Sequence, residues 1–243
     1  MEPTGQAALL ATWEAGLAAG RTGRALLLHT VARPGAGAEE LLAVPLGQRD
    51  AELFGLRAEL FGERLAVRIG CPGCREEMEF AFDAGQVAGA APPVTGPLRV
   101  ELDGWLVGFR PATPGDLAAA EQAPEGLARA VLLERCVLTA EHDGRPVSAR
   151  QLPEPVQRRM AEAASAADPC ADVRLNLSCP ACGGQALAEL DIASYLWEEL
   201  DDWARATLLD VHLLAAAYGW SETEILALTP LRRRYYLELC ADA

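Results

Sequence analysis

Lysine is missing from this chain altogether: all 21 of its basic residues are arginine. That excludes Schiff-base lysine chemistry and any phosphate loop that depends on a lysine. A GC-rich genome would account for the bias. Positive charge is scarce as a whole, 21 basic residues against 35 acidic, for a net charge of −14. Such a balance argues against a nucleic-acid backbone or an anionic membrane as the main partner, because both require a basic patch. No apolar run approaches the roughly 20 residues that span a bilayer. The longest candidate, Leu208 to Trp220, is broken by Asp210 and His212. The start, Met1-Glu2-Pro3, shows no basic segment leading into an apolar core, so a cytoplasmic location is expected. Also missing are a Gly-x-Ser-x-Gly elbow, a His-Glu-x-x-His pair and a phosphate-cradling glycine loop. The chain has three histidines, His29, His142 and His212, in unrelated surroundings. His142 is expected to be solvated in a turn, and His212 to be a satisfied core residue. Carboxylate pairs such as Glu198-Glu199 and Asp201-Asp202 read as the solvated side of a helix. No enzyme is expected.

What the chain does have is cysteine in a pattern. Seven cysteines in a reducing compartment should be reduced or metal-bound. A shift of 108 residues lays Leu65, Val67 and Ile69 on Val173, Leu175 and Leu177. It also lays Cys71-Pro72-x-Cys74 on Cys179-Pro180-x-Cys182, and Phe82-Asp83 on Leu190-Asp191. Both copies read strand, Cys-Pro-x-Cys, strand, Asp, helix. A Cys-x-x-Cys turn presents two thiolates to two corners of a tetrahedron, with Zn–S near 2.3 Å. Proline fixes the first φ of the turn, and Gly183 permits close backbone approach around sulfur. The expectation is one structural Zn2+ held by Cys71, Cys74, Cys179 and Cys182, with no open coordination position. The 104 residues between the pairs exceed the usual spacing of about 15–20. The ion would therefore staple two half-domains, and its binding energy, on the order of 10 kcal/mol, would be folding energy. Competing readings are unmetallated or disulfide-linked pairs, two separate sites, and glutaredoxin-type redox chemistry, in which the motif opens a helix rather than joining strands. Cys136, Cys170 and Cys240 read as small buried hydrophobes.

At 243 residues the chain makes one large or two small domains. A helix is expected over 6–19 and a strand over Ala25 to Ala32. A second helix is expected over Gln48 to Phe61, followed by strands Leu65–Ile69 and Glu79–Phe82. Residues 88–97 read as a linker. Asp103-Gly104 between Leu98–Leu102 and Trp105–Phe109 is a strong hairpin signal. Helices follow over 115–122, 126–141 and 154–167, then strand Val173–Leu177. Asp191 is the expected N-cap of a helix reaching about Ala217 and ended by Gly219. Ser221 to Glu224 has the capping-box pattern, and Pro230 opens a last helix.

The resulting fold class is α+β: two half-domains with β-hairpin zinc-ribbon knuckles joined at one four-cysteine site, plus a mainly helical C-terminal third. The division runs 1–45, 46–97, 98–170, 171–190 and 191–243. The long helix carries an apolar stripe of Ile192, Leu196, Leu200, Trp203, Val211 and Leu214. Trp197, Trp203, Trp220, Tyr235 and Tyr236 are candidate partner-binding residues, since aromatic anchors suit interfaces. Arg232-Arg233-Arg234 reads as a solvated helical turn.

The C-terminal segments carry a family resemblance. They are Cys179-Pro180-Ala181-Cys182-Gly183, Asp191 to Leu200 (DIASYLWEEL), Val211 to Glu222 (VHLLAAAYGWSE), Ile225 to Pro230 and Arg232 to Leu237. Together they resemble the baseplate hub assembly chaperone-like proteins of T-even-type phages, whose relatives occur in contractile tail and extracellular contractile injection system clusters. The resemblance runs from about Leu46 to Leu239, and residues 1–40 carry no part of it. It implies a cytoplasmic, non-catalytic factor that helps build the baseplate or its central hub, or a minor component of it, with the paired cysteines as metal ligands. The partners would be baseplate or hub proteins, with no nucleic acid and no membrane. Alternatives are a permanent baseplate subunit, a CxxC thiol redox protein, and a zinc-ribbon nucleic-acid binder lacking its basic face.

Overall fold

The computed structural model describes residues 5–85 and 96–241. The chain forms two compact units. A mixed unit spans Leu28–Ala193, and a helical unit combines Met1–Leu27 with Ser194–Ala243. Helix and small antiparallel sheets are both present, as an α+β protein requires.

The mixed unit opens with α2 (Arg21–Ala32), which begins before the boundary, then α3 (Ala38–Ala43) and α4 (Leu46–Phe61). The strand expected over Ala25 to Ala32 is thus a helix. Its buried residues Ala25, Leu28 and His29 follow i, i+3, i+4 spacing, and a short apolar run does not by itself distinguish helix from strand. The hairpin β1 (Arg64–Gly70) and β2 (Glu77–Asp83) follows α4. The linker expected over 88–97 lies, apart from 96 and 97, outside the described residues.

β3 (Leu98–Leu102) and β4 (Trp105–Phe109) then pair around Asp103-Gly104, both with positive φ as the Asp-Gly signal requires. After α5 (Pro114–Glu121) and α6 (Ala128–Cys136), the chain turns into β5 (Val137–His142) and β6 (Arg145–Pro146). The helix expected over 126–141 therefore ends five residues early, at Cys136. β-Branched Val137 and Thr139 favour a strand, and β5 pairs with the edge of β4 that β3 leaves open, Val107 lying opposite Ala140. A second Asp-Gly turn, Asp143-Gly144, closes β5 on β6. Val100, Val107 and Ala140 form one buried cross-strand row, covered by Val156 and Met160 of α7 (Glu154–Ala167). The hairpin β7 (Val173–Ser178) and β8 (Gln185–Leu190) completes the unit.

The helical unit contains α1 (Gln6–Leu17), most of α8 (Ile192–Tyr218), α9 (Glu222–Leu226) and α10 (Pro230–Ala241). The Asp191 carboxylate accepts from the Ala193 N–H at 3.1 Å, as an N-cap does. Gly219 at φ 71° ends α8. Ser221 and Glu224 form the expected capping box. Leu9, Leu10 and Trp13 of α1 and Leu196, Leu200, Ala204 and Leu214 of α8 are buried. The Trp13 indole donates to Asp201 at 2.7 Å.

Candidate metal centre

Two hairpins of one sequence pattern build the centre. In the first, the Cys71 N–H donates to the Glu76 carbonyl at 2.8 Å, and the Arg75 N–H donates back to the Cys71 carbonyl at 2.9 Å. In the second, Cys179 donates to Gly184 at 2.8 Å and Gly183 to Cys179 at 2.9 Å. Each bond of one copy maps onto its counterpart by the shift of 108. The strand registers map too: Leu65 lies opposite Phe82, and Val173 opposite Leu190. The residue after the second cysteine is left-handed in both, Arg75 at φ 66° and Gly183 at φ 71°. Glycine takes that conformation freely, whereas arginine does so at a cost in backbone strain.

The turns bring the four sulfurs together, all within 4.8 Å of one another. Cys71 and Cys182 Sγ are 3.7 Å apart, as are Cys74 and Cys179 Sγ. A tetrahedron with arms of about 2.3 Å has edges of about 3.8 Å, so this spacing fits a metal at its centre. None of the seven cysteines is in a disulfide, and 3.7 Å is far beyond the roughly 2.05 Å of an S–S bond. The first cysteine of each pair, Cys71 and Cys179, is 2% exposed, while Cys74 and Cys182 are exposed. Beneath the sulfurs lie Met78 and Ala186, equivalent positions of the two copies, with Ile69 and Phe80 packed alongside.

Backbone amides support negative sulfur. The N–H groups of Cys74 and Gly73 hold the Cys71 thiol down to about 6. The Glu76 N–H favours a Cys74 thiolate, but the neighbouring sulfurs, led by Cys182, push that thiol up to about 12. Four thiolates this close ionise together only around a cation. An all-sulfur donor set selects a soft metal over magnesium or calcium. No other group of His, Cys, Asp and Glu among the described residues is arranged to hold a metal.

The remaining candidates lie elsewhere. Trp197 is 6% exposed, packed on Gly16, with the Arg24 guanidinium 4.7 Å from its ring centroid, so it is a core residue of the helical unit. Trp203 is half-buried. Trp220 stacks on Tyr218 at 4.7 Å and meets Tyr236 edge-on at 4.9 Å. Tyr235 is 61% exposed. Of the three arginines on α10, Arg233 is buried, paired with Asp210 at 3.2 Å and donating to Gln6 at 2.6 Å. His212 is exposed rather than in the core. His142 is half-buried, stacked on Trp105 with ring centroids 4.4 Å apart. Cys170 is buried as expected, while Cys136 and Cys240 are only half-buried. Sequence reasoning missed Arg75 as a strained turn position, although the repeat aligns it with Gly183. No family model matches this chain, and neither a curated protein nor a solved structure matches it.

Proposed function

We propose that the four cysteines hold one structural Zn2+ and that the chain is a non-enzymatic assembly factor for the baseplate or central hub of a contractile tail-like particle. The metal half rests on the 3.7 Å sulfur spacing. Four thiolate ligands leave zinc no position for water or substrate, so the ion serves folding rather than chemistry. Cys71, Cys74, Cys179 and Cys182 would bind as thiolates, and the turn amides would orient them. The redox alternative is disfavoured by the motif's position between antiparallel strands, away from the helix N-terminus that activates a redox thiolate. Zinc analysis tests this reading: one ion per chain and no thiol–disulfide turnover are expected. Cys71→Ser and Cys179→Ser should each lose the ion and melt at much lower temperature, and unchanged melting in both would refute the staple.

The assembly half is supported by the quoted C-terminal likeness and carried by one observation. Leu231, Tyr235 and Leu239 lie at i, i+4, i+8 along α10, each 61–65% exposed. Such a stripe on a strongly acidic protein suits transient capping of an apolar subunit surface, while like charge discourages self-association. A tagged chain co-expressed with baseplate and hub genes of a contractile tail should enrich one of those subunits. Enrichment of none would remove the proposal. Retention in finished particles would identify the alternative, a permanent baseplate subunit.

A further inference from the structure

Away from the sulfurs, the mixed unit contains a cleft of about 600 Å³ between α3 and α5. That is within the size range of small-ligand sites. Its walls are largely apolar, with Leu42 on α3 and Ala118 and Ala119 on α5. Gly115 lets the two helices meet closely there: a Cβ at that position would sit 3.1 Å from the Leu42 carbonyl oxygen. Arg110 and Arg135 line the same cleft.

Both guanidiniums are fixed by one carboxylate. Asp116 has a fully buried side chain, 0% exposed. Arg110 grips it with two nitrogens at 2.6 and 3.0 Å, and the Arg135 Nε donates to it at 2.7 Å. The Thr113 N–H and hydroxyl add bonds at 2.9 and 3.0 Å. Burial alone would favour neutral Asp116, but the bonds from Arg110, Thr113 and Arg135 hold its carboxyl well below the usual carboxylate range. The arginines therefore keep their positions across the neutral range. Within this network, one carboxylate against two guanidiniums leaves a positive charge in excess; Glu39, at the exposed rim, is the other charged residue lining the cleft. Arg135 commits only Nε, and its two terminal nitrogens have no partner among the described residues. Its side chain remains 45% exposed, on the cleft. These groups face an apolar-walled opening.

We propose that this cleft binds a carboxylate carried on a short aliphatic group, with the terminal nitrogens of Arg135 as the fork and Leu42, Ala118 and Ala119 as the wall. A guanidinium fork matches a planar carboxylate bidentately. One excess positive charge balances a monoanion. A phosphate dianion would bring a second negative charge beside Glu39 at the exposed rim. The carboxylate has two possible sources, the C-terminal end of a polypeptide or a free organic acid. The proposal depends on neither the metal nor the assembly role.

Calorimetric titration of the full-length, metal-loaded chain separates the possibilities. The probes are the tripeptide Ala-Ala-Leu, its C-terminal amide, isocaproate and inorganic phosphate. The free acids should bind, and the amide at least tenfold more weakly, as the loss of a charge-assisted pair implies. A tripeptide at least tenfold tighter than isocaproate assigns a chain end, and equal affinities assign a free acid. Arg135→Met should weaken the acids about tenfold or more. Ala118→Phe adds a ring to the cleft, leaves the Arg–Asp–Arg network untouched, and should abolish binding at an unchanged melting temperature. It decides the matter if Arg135→Met does not fold. The proposal is overturned if neither acid binds in the millimolar range, if the amide matches the acid, if phosphate binds more tightly, or if Ala118→Phe binds normally.

Discussion

Arg75 and Gly183 occupy the same left-handed turn position in two copies of one hairpin. Only Gly183 meets the conformation without strain. Nothing lies within 4 Å of a Cβ added there, so the cost of Gly183→Ala is backbone strain alone. It should destabilise the chain by about 1 kcal/mol in urea melts, whereas Arg75→Gly should be neutral or slightly stabilising. Asp50 makes a separate case. Burial, reinforced by Asp191 and Asp168 and opposed by Arg49, raises its carboxyl to about 6. Between about pH 4 and 6 the folded protein keeps a proton that the unfolded chain has released, so stability falls as pH rises through that window. Asp50→Asn should remove that slope, worth at most about 3 kcal/mol, in melts followed across the window. Asp116 is shifted the other way, so its contribution is present above the unfolded value and lost only in stronger acid.

At the scale of elements, the two cysteine hairpins stand out because each has only two strands. Isolated two-stranded hairpins are marginal in water. If the four cysteines hold a metal as proposed, its removal should speed hydrogen exchange first in 64–83 and 173–190, while the four-stranded sheet under α7 keeps its protection. Equal loss in all three sheets would show that the ion supports the whole mixed unit. In the helical unit the tight contact is between α1 and α8. A Cβ on Gly16 would fall 2.1 Å from the Trp197 ring, and that ring is a bulky group with little freedom to retreat. Gly16→Ala should cost about 2–4 kcal/mol, read as a lower melting temperature. Elements with local chemistry were legible in the sequence: the Asp103-Gly104 turn, the Asp191 cap, the Ser221–Glu224 box and both cysteine turns. β5 was not, because its strand state comes from pairing with β4, a contact no local window contains. α2 was hidden because a short apolar run suits helix and strand equally.

Over the whole molecule, the repeat was legible because a cluster of four thiols needs fixed residue types at fixed spacing. The Asp116 network was not, because it joins Arg110 to the distant Arg135 with no motif between them. The grouping of α1 with the C-terminal helices was equally hidden, since it follows from packing of Trp13 and Gly16 on α8. The alternation of sealed and open sulfurs around the metal centre has a chemical consequence. Alkylating reagents and competing chelators should reach Cys74 and Cys182 first and leave Cys71 and Cys179 as the last grip on any ion, so disassembly should proceed from the rim inward, through a species still anchored by one thiol from each hairpin.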